Sequence, residues 1–181
     1  MKGIVFNLLQ EVVSEEYSAD AWDDLLDEAG DLGAYTAVGS YDDGAFLRLV
    51  AAGSAKLGIP EDDLVRWFGR QAIPKFRDRL PGLFAPHTST RSLVLTLNDV
   101  IHPEVRKLFP GADVPQFDFQ TPDEHSVTIG YASSRRLCAF AEGLIEGAAA
   151  LYGEKVTHRQ PACMKRGDRK CVIECTFEAV A

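Results

Sequence analysis

Residues 126–135 read SVTIGYASSR, and this stretch decides how the second half of the chain folds. Val127, Ile129 and Tyr131 alternate with small or polar residues, a pattern typical of a β-strand with one buried face. A second alternating run lies at residues 117–119, and a Thr-Pro-Asp-Glu turn signal separates the two. The two runs therefore predict a pair of antiparallel strands.

Three polar side chains follow at a spacing of two where the second strand ends: Tyr131, Ser133 and Arg135. Such spacing places side chains on one side of an extended chain. A helix predicted from residue 134 would be capped by Ser133, and its free N–H groups would face the same place. A phenol, a hydroxyl and a guanidinium beside a helix N-terminus suit a ligand with carboxylates or phosphates. The alternative is an ordinary helix cap with an exposed arginine.

The predicted helices precede most of the predicted strands along the chain. In the first half of the chain apolar residues recur at a spacing of three to four, which is typical of amphipathic helices. A long helix is predicted over 134–152. Two later alternating runs predict the strands that complete an antiparallel sheet. We therefore predict an α+β fold in a single domain spanning 1–181, with a helical part at about 1–85 packed on a part at about 86–181 that holds the sheet.

The composition excludes several classes of protein. A chain of 181 residues and 19.8 kDa argues for one domain with one core. Its formal net charge is −8, so we expect no nucleic-acid binding, which depends on clustered Lys and Arg. No apolar run approaches the ~20 residues of a membrane-spanning helix, so we expect no membrane association. Four cysteines without a secretion signal predict a cytoplasmic protein with reduced thiols.

His102 stands among apolar residues in the stretch 95–103, LTLNDVIHP. Pro103 fits the first turn of a short helix that runs to about Phe109. An imidazole at the start of a buried element is held rigidly, as an axial metal ligand must be. The alternative is a core histidine whose ring is satisfied by a backbone carbonyl.

Taken together, these motifs resemble the H-NOX family of heme-based nitric oxide and oxygen sensors. The family includes bacterial stand-alone domains and the heme domain of soluble guanylate cyclase. The resemblance extends over the whole chain, in the motifs MKGIVFN (1–7), FGRQ (68–71), NDVIH (98–102), YASSR (131–135) and EGLIEG (142–147).

The resemblance implies a site for ferrous heme b. By position, His102 corresponds to the proximal iron ligand, and Tyr131, Ser133 and Arg135 correspond to residues that bind the heme propionates. Pro115 corresponds to a residue that presses on the porphyrin and distorts it. The propionate assignment agrees with the chemistry of the polar triplet, because buried carboxylates need hydrogen-bond donors.

The family resemblance also bears on which gas is bound. In members that hold oxygen, a tyrosine on the long helix donates a hydrogen bond to the bound gas, and Phe140 stands at that position here. Val5 and Leu9 of the first helix, with Leu144, are expected to add apolar walls. None of these side chains is a donor, so we expect binding of NO and CO without stable oxygen binding. Without a heme, Phe140 and Leu144 would be ordinary core residues.

The chain has four cysteines: Cys138, Cys163, Cys171 and Cys175. The second and third flank a predicted hairpin turn, and the last two share a strand face. Some bacterial relatives carry a Cys/His zinc site in this region, with proposed redox sensitivity, and the first three cysteines match that pattern. Gln160 stands where a relative has histidine, so Cys175 or His158 would have to complete a tetrahedral zinc site. A thiol switch and buried structural cysteines are the alternatives.

We therefore expect a heme-based gas sensor and not an enzyme. It would regulate a separate signalling protein through a conformational change coupled to His102. The resemblance implies a histidine kinase or a diguanylate cyclase/phosphodiesterase protein as that partner. Two alternatives remain. One is a heme enzyme such as a peroxidase, which would need a distal acid or base. The other is a module that binds a small molecule other than heme.

Overall fold

The computed structural model describes residues 1–180, and Ala181 lies outside the described residues. In chain order the helices are α1 (Gly3–Glu16), α2 (Ala19–Ala29), α3 (Asp43–Leu57), α4 (Glu61–Arg79), α5 (Pro81–Phe84), α6 (Thr90–Leu95), a π-helical turn (Leu97–Ile101), α7 (His102–Leu108) and α8 (Cys138–Leu151). The strands are β1 (Gln116–Gln120), β2 (Ser126–Ala132), β3 (Glu154–Ala162) and β4 (Cys171–Ala179), with a 3-10 turn (Met164–Arg166) between the last two. None of the described helices combines the length and the apolar character needed to cross a membrane.

The four strands form one antiparallel sheet in the order β1-β2-β4-β3. Phe117 pairs with Tyr131, and Ile129 pairs with Ile173, so the alternating apolar residues share one face of the sheet. That face is buried and packs against α8. The four predicted strands are confirmed.

The first four helices bury a second core, which is rich in aromatic residues. Phe6, Phe46 and Phe68 are at most 1% exposed. The ring centroid of Phe46 lies 6.1 Å from that of Phe6 and 6.2 Å from that of Phe68. Helix α8 packs on α4 on one side and on the sheet on the other, so it joins the two cores. The predicted α+β fold class, with helices first and an antiparallel sheet after them, is confirmed.

Helices α4 and α8 approach each other closely because glycines line their contact. A Cβ atom on Gly143 would lie 2.0 Å from the carbonyl oxygen of Arg66. On the same side of the contact, Arg66 donates to the buried Glu142 at 2.8 Å. The absence of a side chain at Gly143 thus lets the backbones touch, and the ion pair fixes their alignment.

Replacing Gly143 with Ala is expected to destabilise the fold by about 1–3 kcal/mol, because the added methyl overlaps backbone that cannot move aside. Gly82→Ala is the matched control, since a Cβ atom there meets no neighbour within 4 Å. Thermal unfolding of the two variants measures the difference. Equal midpoints would show that the α4–α8 contact tolerates a side chain.

Two predicted helix boundaries are corrected by the structure. The helix predicted from residue 134 begins at Cys138, because Arg136 takes a left-handed conformation (φ 51°) and its N–H closes a turn on the carbonyl of Ser133. The apolar spacing also predicts a helix over about 88–97, where the structure has the short α6, which the π-helical turn joins to α7. The predicted short helix that starts at His102 is confirmed as α7.

Candidate functional site

A cavity of about 450 Å³ opens between the helical part and the part that holds the sheet. Its walls come from α1, α4, α5, α6, α7 and α8, from the segment before β1, and from β2. Most of the bordering side chains are apolar, and the polar ones include His102 and the triplet after β2. A large apolar cavity with a few converging polar groups is typical of a cofactor site.

Eight of the nine residues that the sequence assigned to a heme site border this cavity: Val5, His102, Pro115, Tyr131, Ser133, Arg135, Phe140 and Leu144. Leu9 does not border it, which corrects that assignment. It lines a separate apolar cavity of about 100 Å³ inside the helical core. Four residues along a helix advance by ~6 Å, so Leu9 lies beyond the reach of the wall that Val5 forms.

His102 meets the requirements of an iron ligand in position and protonation. It is the first residue of α7, and its ring stacks on Phe117 with centroids 5.5 Å apart. Burial, assisted by the charge of Arg106, lowers the pKa of His102 to about 4. The imidazole is therefore neutral at pH 7, the form that donates a lone pair to a metal.

Tyr131, Ser133 and Arg135 form a polar triplet in the mostly apolar lining of the cavity. Tyr131 is 2% exposed, and burial raises its pKa to about 12, so its phenol stays protonated and remains a donor at neutral pH. Ser133 and Arg135 follow in the turn between β2 and α8, and both border the cavity. The three groups bring two hydroxyls and one guanidinium to one region, as the spacing predicts.

Ser133 does not cap α8, which corrects the expectation of a helix N-terminus beside the triplet. Its hydroxyl accepts the N–H of Arg135 at 3.3 Å, and no side chain caps the described first turn of α8. The left-handed residue at 136 displaces the helix start beyond Ser133. The triplet therefore relies on its own donors and one positive charge.

Sequence reasoning missed the partners of Arg135. Its Nε donates to Asp43 at 2.8 Å, and its Nη1 donates to the carbonyl of Asp113 at 2.6 Å. The amino group of Met1 also binds Asp43. Burial works against ionisation of Asp43, but the hydrogen bonds from Arg135 and the N-terminus outweigh it and lower the pKa of that carboxyl. Asp43 is 92 residues distant in sequence, so no local pattern indicates this contact.

Phe140 and Leu144 lie one turn apart on α8 and present apolar surface to the cavity. The ring of Phe140 stacks on Phe68 with centroids 5.2 Å apart and planes 21° apart, which fixes its position. Val5 adds an aliphatic wall from α1. None of these three cavity-facing side chains donates a hydrogen bond.

A second cluster lies outside the cavity, and we call it the thiol cluster: Cys138, Cys163 and Cys171. All three are buried, and their sulfur atoms lie within 4.8 Å of one another. The Sγ of Cys163 is 3.7 Å from that of Cys138 and 4.0 Å from that of Cys171. The predicted convergence of these three cysteines is therefore present in the structure.

Cys175 is not part of the thiol cluster, which corrects its assignment as a zinc ligand. It shares a strand face with Cys171, but four residues of strand separate their Cα atoms by ~13 Å. Gln160 has a buried Nε2 with no hydrogen-bond partner, and a neutral carboxamide is not among the common zinc ligands. Among the described residues, three cysteine sulfurs converge, and neither Cys175 nor Gln160 adds a fourth ligand to them.

His158 does not supply that ligand either, because its Nε2 binds Glu146 of α8 at 2.7 Å. The hydrogen bond to Glu146 raises the pKa of His158 above its ordinary value of 6.5, although burial opposes it. Glu146 also accepts from Arg70 of α4, so the pair ties the sheet to both helices.

The raised pKa of His158 predicts a pH dependence of stability. A folded-state pKa above the unfolded one means that the stabilisation is complete below about pH 6.5 and is lost as the pH rises through the folded-state pKa. We expect the thermal midpoint of the protein to exceed that of His158→Gln most at pH 5.5–6 and progressively less above pH 6.5. A difference that grows with pH would contradict the ion pair.

A family model described as Haem-NO-binding matches residues 2–160. The chain is similar to the crystal structure of an H-NOX protein from S. oneidensis in the Fe(II)NO ligation state, with 30% identity, a TM-score of 0.93 and coverage of 98% of this chain and 99% of that chain. The chain is also similar to an NMR structure of an H-NOX domain from Shewanella oneidensis in the Fe(II)CO ligation state. The identity is 30% and the TM-score is 0.90, and the match covers 98% of this chain and 99% of that chain.

More distant proteins share the fold alone. The Fe(II) unliganded H-NOX protein from K. algicida is 24% identical, with a TM-score of 0.88 and coverage of 99% of this chain and 98% of that chain. No curated protein matches the chain.

The family match covers most of the chain and contains the residues of the cavity lining from Lys2 to Ala148. The S. oneidensis structure agrees with the chain over both the helical part and the sheet. Domains of this family are sensor domains and not enzymes, as the sequence predicts. The chain belongs to the Haem-NO-binding, or H-NOX, family.

Proposed function

We propose that the protein is a heme-based gas sensor in which His102 ligates the iron. The observation that carries this proposal is the convergence on one apolar cavity of a neutral histidine and the triplet of Tyr131, Ser133 and Arg135. Ferrous heme held by His102 would supply the iron that binds NO or CO. S. oneidensis H-NOX structures in the Fe(II)NO and Fe(II)CO states support this choice of ligands.

The polar triplet fits the two heme propionates. Arg135 brings a positive charge and Tyr131 a protonated phenol, and buried carboxylates need such donors. In the structure Asp43 and Asp113 bind the guanidinium of Arg135, which fixes its position beside the cavity. Pro115 borders the same cavity, and we propose that it contacts the face of the porphyrin.

Discrimination between gases depends on the wall near Phe140. Bound oxygen carries partial negative charge and needs a donor, whereas NO binds ferrous heme tightly without one. Phe140, Leu144 and Val5 offer none. We therefore propose binding of NO and CO without stable oxygen binding.

The signal would pass through α7 and its attachments to a separate protein. His102 starts α7, and the preceding π-helical turn contacts β1, so a displacement of the histidine moves this part against the helical part. A switch of this kind needs a difference of a few kcal/mol in ligand affinity between two states. We propose a histidine kinase or a diguanylate cyclase/phosphodiesterase protein as the partner, on family resemblance, and a cytoplasmic location, on the four free cysteines.

Heme-replete expression tests this proposal against its alternatives. We expect the purified protein to show a Soret band with one heme per chain and no peroxide turnover above that of free heme. A protein that folds without a Soret band would favour a module for another small molecule. Peroxide turnover that depends on a cavity side chain would favour a heme enzyme.

A further inference from the structure

The cavity of about 100 Å³ that Leu9 borders is a second space of ligand size, and we call it the helical-core cavity. Its bordering residues belong to α1, α2, α3 and α4, apart from Tyr17 directly after α1. None of these residues borders the cavity of about 450 Å³ that we assign to heme. The helical-core cavity is therefore a separate space, and the heme site does not account for it.

A glycine in α3 keeps part of this space open. A Cβ atom on Gly53 would lie 2.9 Å from Cδ2 of Leu64 and 3.7 Å from Cδ1 of Leu25, and both leucines border the helical-core cavity. Glycine in the middle of a helix is destabilising relative to alanine, so helix formation does not favour it at this position. A side chain at position 53 would crowd the two leucines and reduce the space between them.

The helical-core cavity reaches the surface at a mouth that disfavours charged molecules. Tyr17 and Leu57 border it and are 54% and 42% exposed, so a small molecule has a path from solvent. Lys56 also borders it and donates to Asp24 of α2 at 2.7 Å. Asp27 lies one turn further along α2. An anion would face these carboxylates and a cation would face Lys56, so the mouth favours a neutral ligand.

The walls of the helical-core cavity suit an aromatic ring. Tyr17 and Trp67 border it in an edge-to-face arrangement with ring centroids 6.2 Å apart. Phe46 and Phe68, which are at most 1% exposed, border its buried side. Aromatic rings attract one another in edge-to-face and offset arrangements. An apolar cavity of about 150 Å³ engineered into another protein stays dry and binds benzene, so a space of about 100 Å³ with an open mouth suits a single ring.

The helical-core cavity is one aromatic contact away from the proposed gas site. Phe68 borders it, and the ring of Phe68 stacks on Phe140 with centroids 5.2 Å apart. Phe140 in turn borders the larger cavity. A molecule bound against Phe68 therefore bears on the apolar wall that Phe140 forms.

We propose that the helical-core cavity binds a neutral molecule with one aromatic ring, and that its occupancy changes gas binding through Phe68 and Phe140. The effect on gas binding rests on the proposed function, whereas binding in the cavity does not. A ligand changes gas affinity only if it binds two arrangements of this aromatic pair with different affinity.

Methyl NMR of the CO-bound protein, titrated with toluene, tests the binding step. We expect saturable shifts, with one toluene per chain, of the methyl signals of Leu25 and Leu64. Gly53→Ala should weaken toluene binding by at least ~5-fold, because the added methyl crowds both leucines. Gly82→Ala is the matched control and should bind toluene normally, since a Cβ atom there meets no neighbour within 4 Å. Benzoate, which carries a negative charge on a similar ring, should bind at least ~10-fold more weakly than toluene.

The rate of CO release, measured with and without saturating toluene, tests the effect on gas binding. We expect a change of at least ~2-fold in the unmodified protein and a smaller one in Gly53→Ala at the same toluene concentration. The proposal is overturned if no methyl signal shifts, if Gly53→Ala binds toluene normally, or if toluene binds without changing CO release. Shifts confined to residues of the larger cavity, such as Leu144, would also overturn it. If the purified protein carries no heme, the proposed function fails, and the methyl shifts of Leu25 and Leu64 still decide whether toluene binds in the helical-core cavity.

Discussion

His102→Gly is expected to raise the dissociation constant of heme by at least ~10-fold, which corresponds to about 1.4 kcal/mol. The substitution removes the proposed iron ligand and leaves a space of the size of an imidazole ring beside Phe117. Added imidazole should enter that space and restore the Soret band. Heme content by absorbance, with and without imidazole, measures both effects.

His125→Ala is the control for this experiment, because His125 is exposed in the turn between β1 and β2. It should bind heme as the unmodified protein does. Full heme retention in His102→Gly without imidazole would assign the iron ligand to another residue.

Phe140→Tyr is expected to convert the protein into one that holds oxygen. The new hydroxyl would reach into the apolar wall formed with Leu144 and Val5 and donate to the partly negative gas. A hydrogen bond to a charged acceptor contributes ~1.5–3 kcal/mol, so oxygen dissociation should slow by about 10–100-fold. Stopped-flow measurement of oxygen release from the reduced protein gives the rate.

Phe140→Leu is the control that changes the shape of the cavity without adding a donor, since it removes the ring that stacks on Phe68. It should not hold oxygen. If both variants slow oxygen release equally, cavity shape decides the choice of gas and the donor argument is wrong.

Local patterns predicted the elements of the fold but not all of their ends. The alternation around Ile129 and the three-to-four spacing in α1 depend on which side chains are buried, and both are confirmed. Helix α8 starts later than the pattern predicts because the left-handed backbone of Arg136 has no sequence signal such as glycine.

Contacts between distant elements decide the features of the site that local patterns do not predict. Asp43 meets Arg135 only because α3 folds against the turn after β2, and Leu9 is excluded from the main cavity by the direction of α1. Cys171 and Cys175 share a face, but the length of the strand between them decides that only one joins the thiol cluster. Each of these outcomes is set by three-dimensional distance, which spacing along the chain does not fix.

The absorption spectrum of the reduced protein, recorded alone and then with NO, CO and air, tests the central claim most directly. We predict a Soret band that shifts on addition of NO and of CO, with no lasting oxygen-bound spectrum in air. That result would agree with ligation by His102 and with the apolar wall at Phe140. A persistent oxygen-bound spectrum, or a folded protein without a Soret band, would contradict the account.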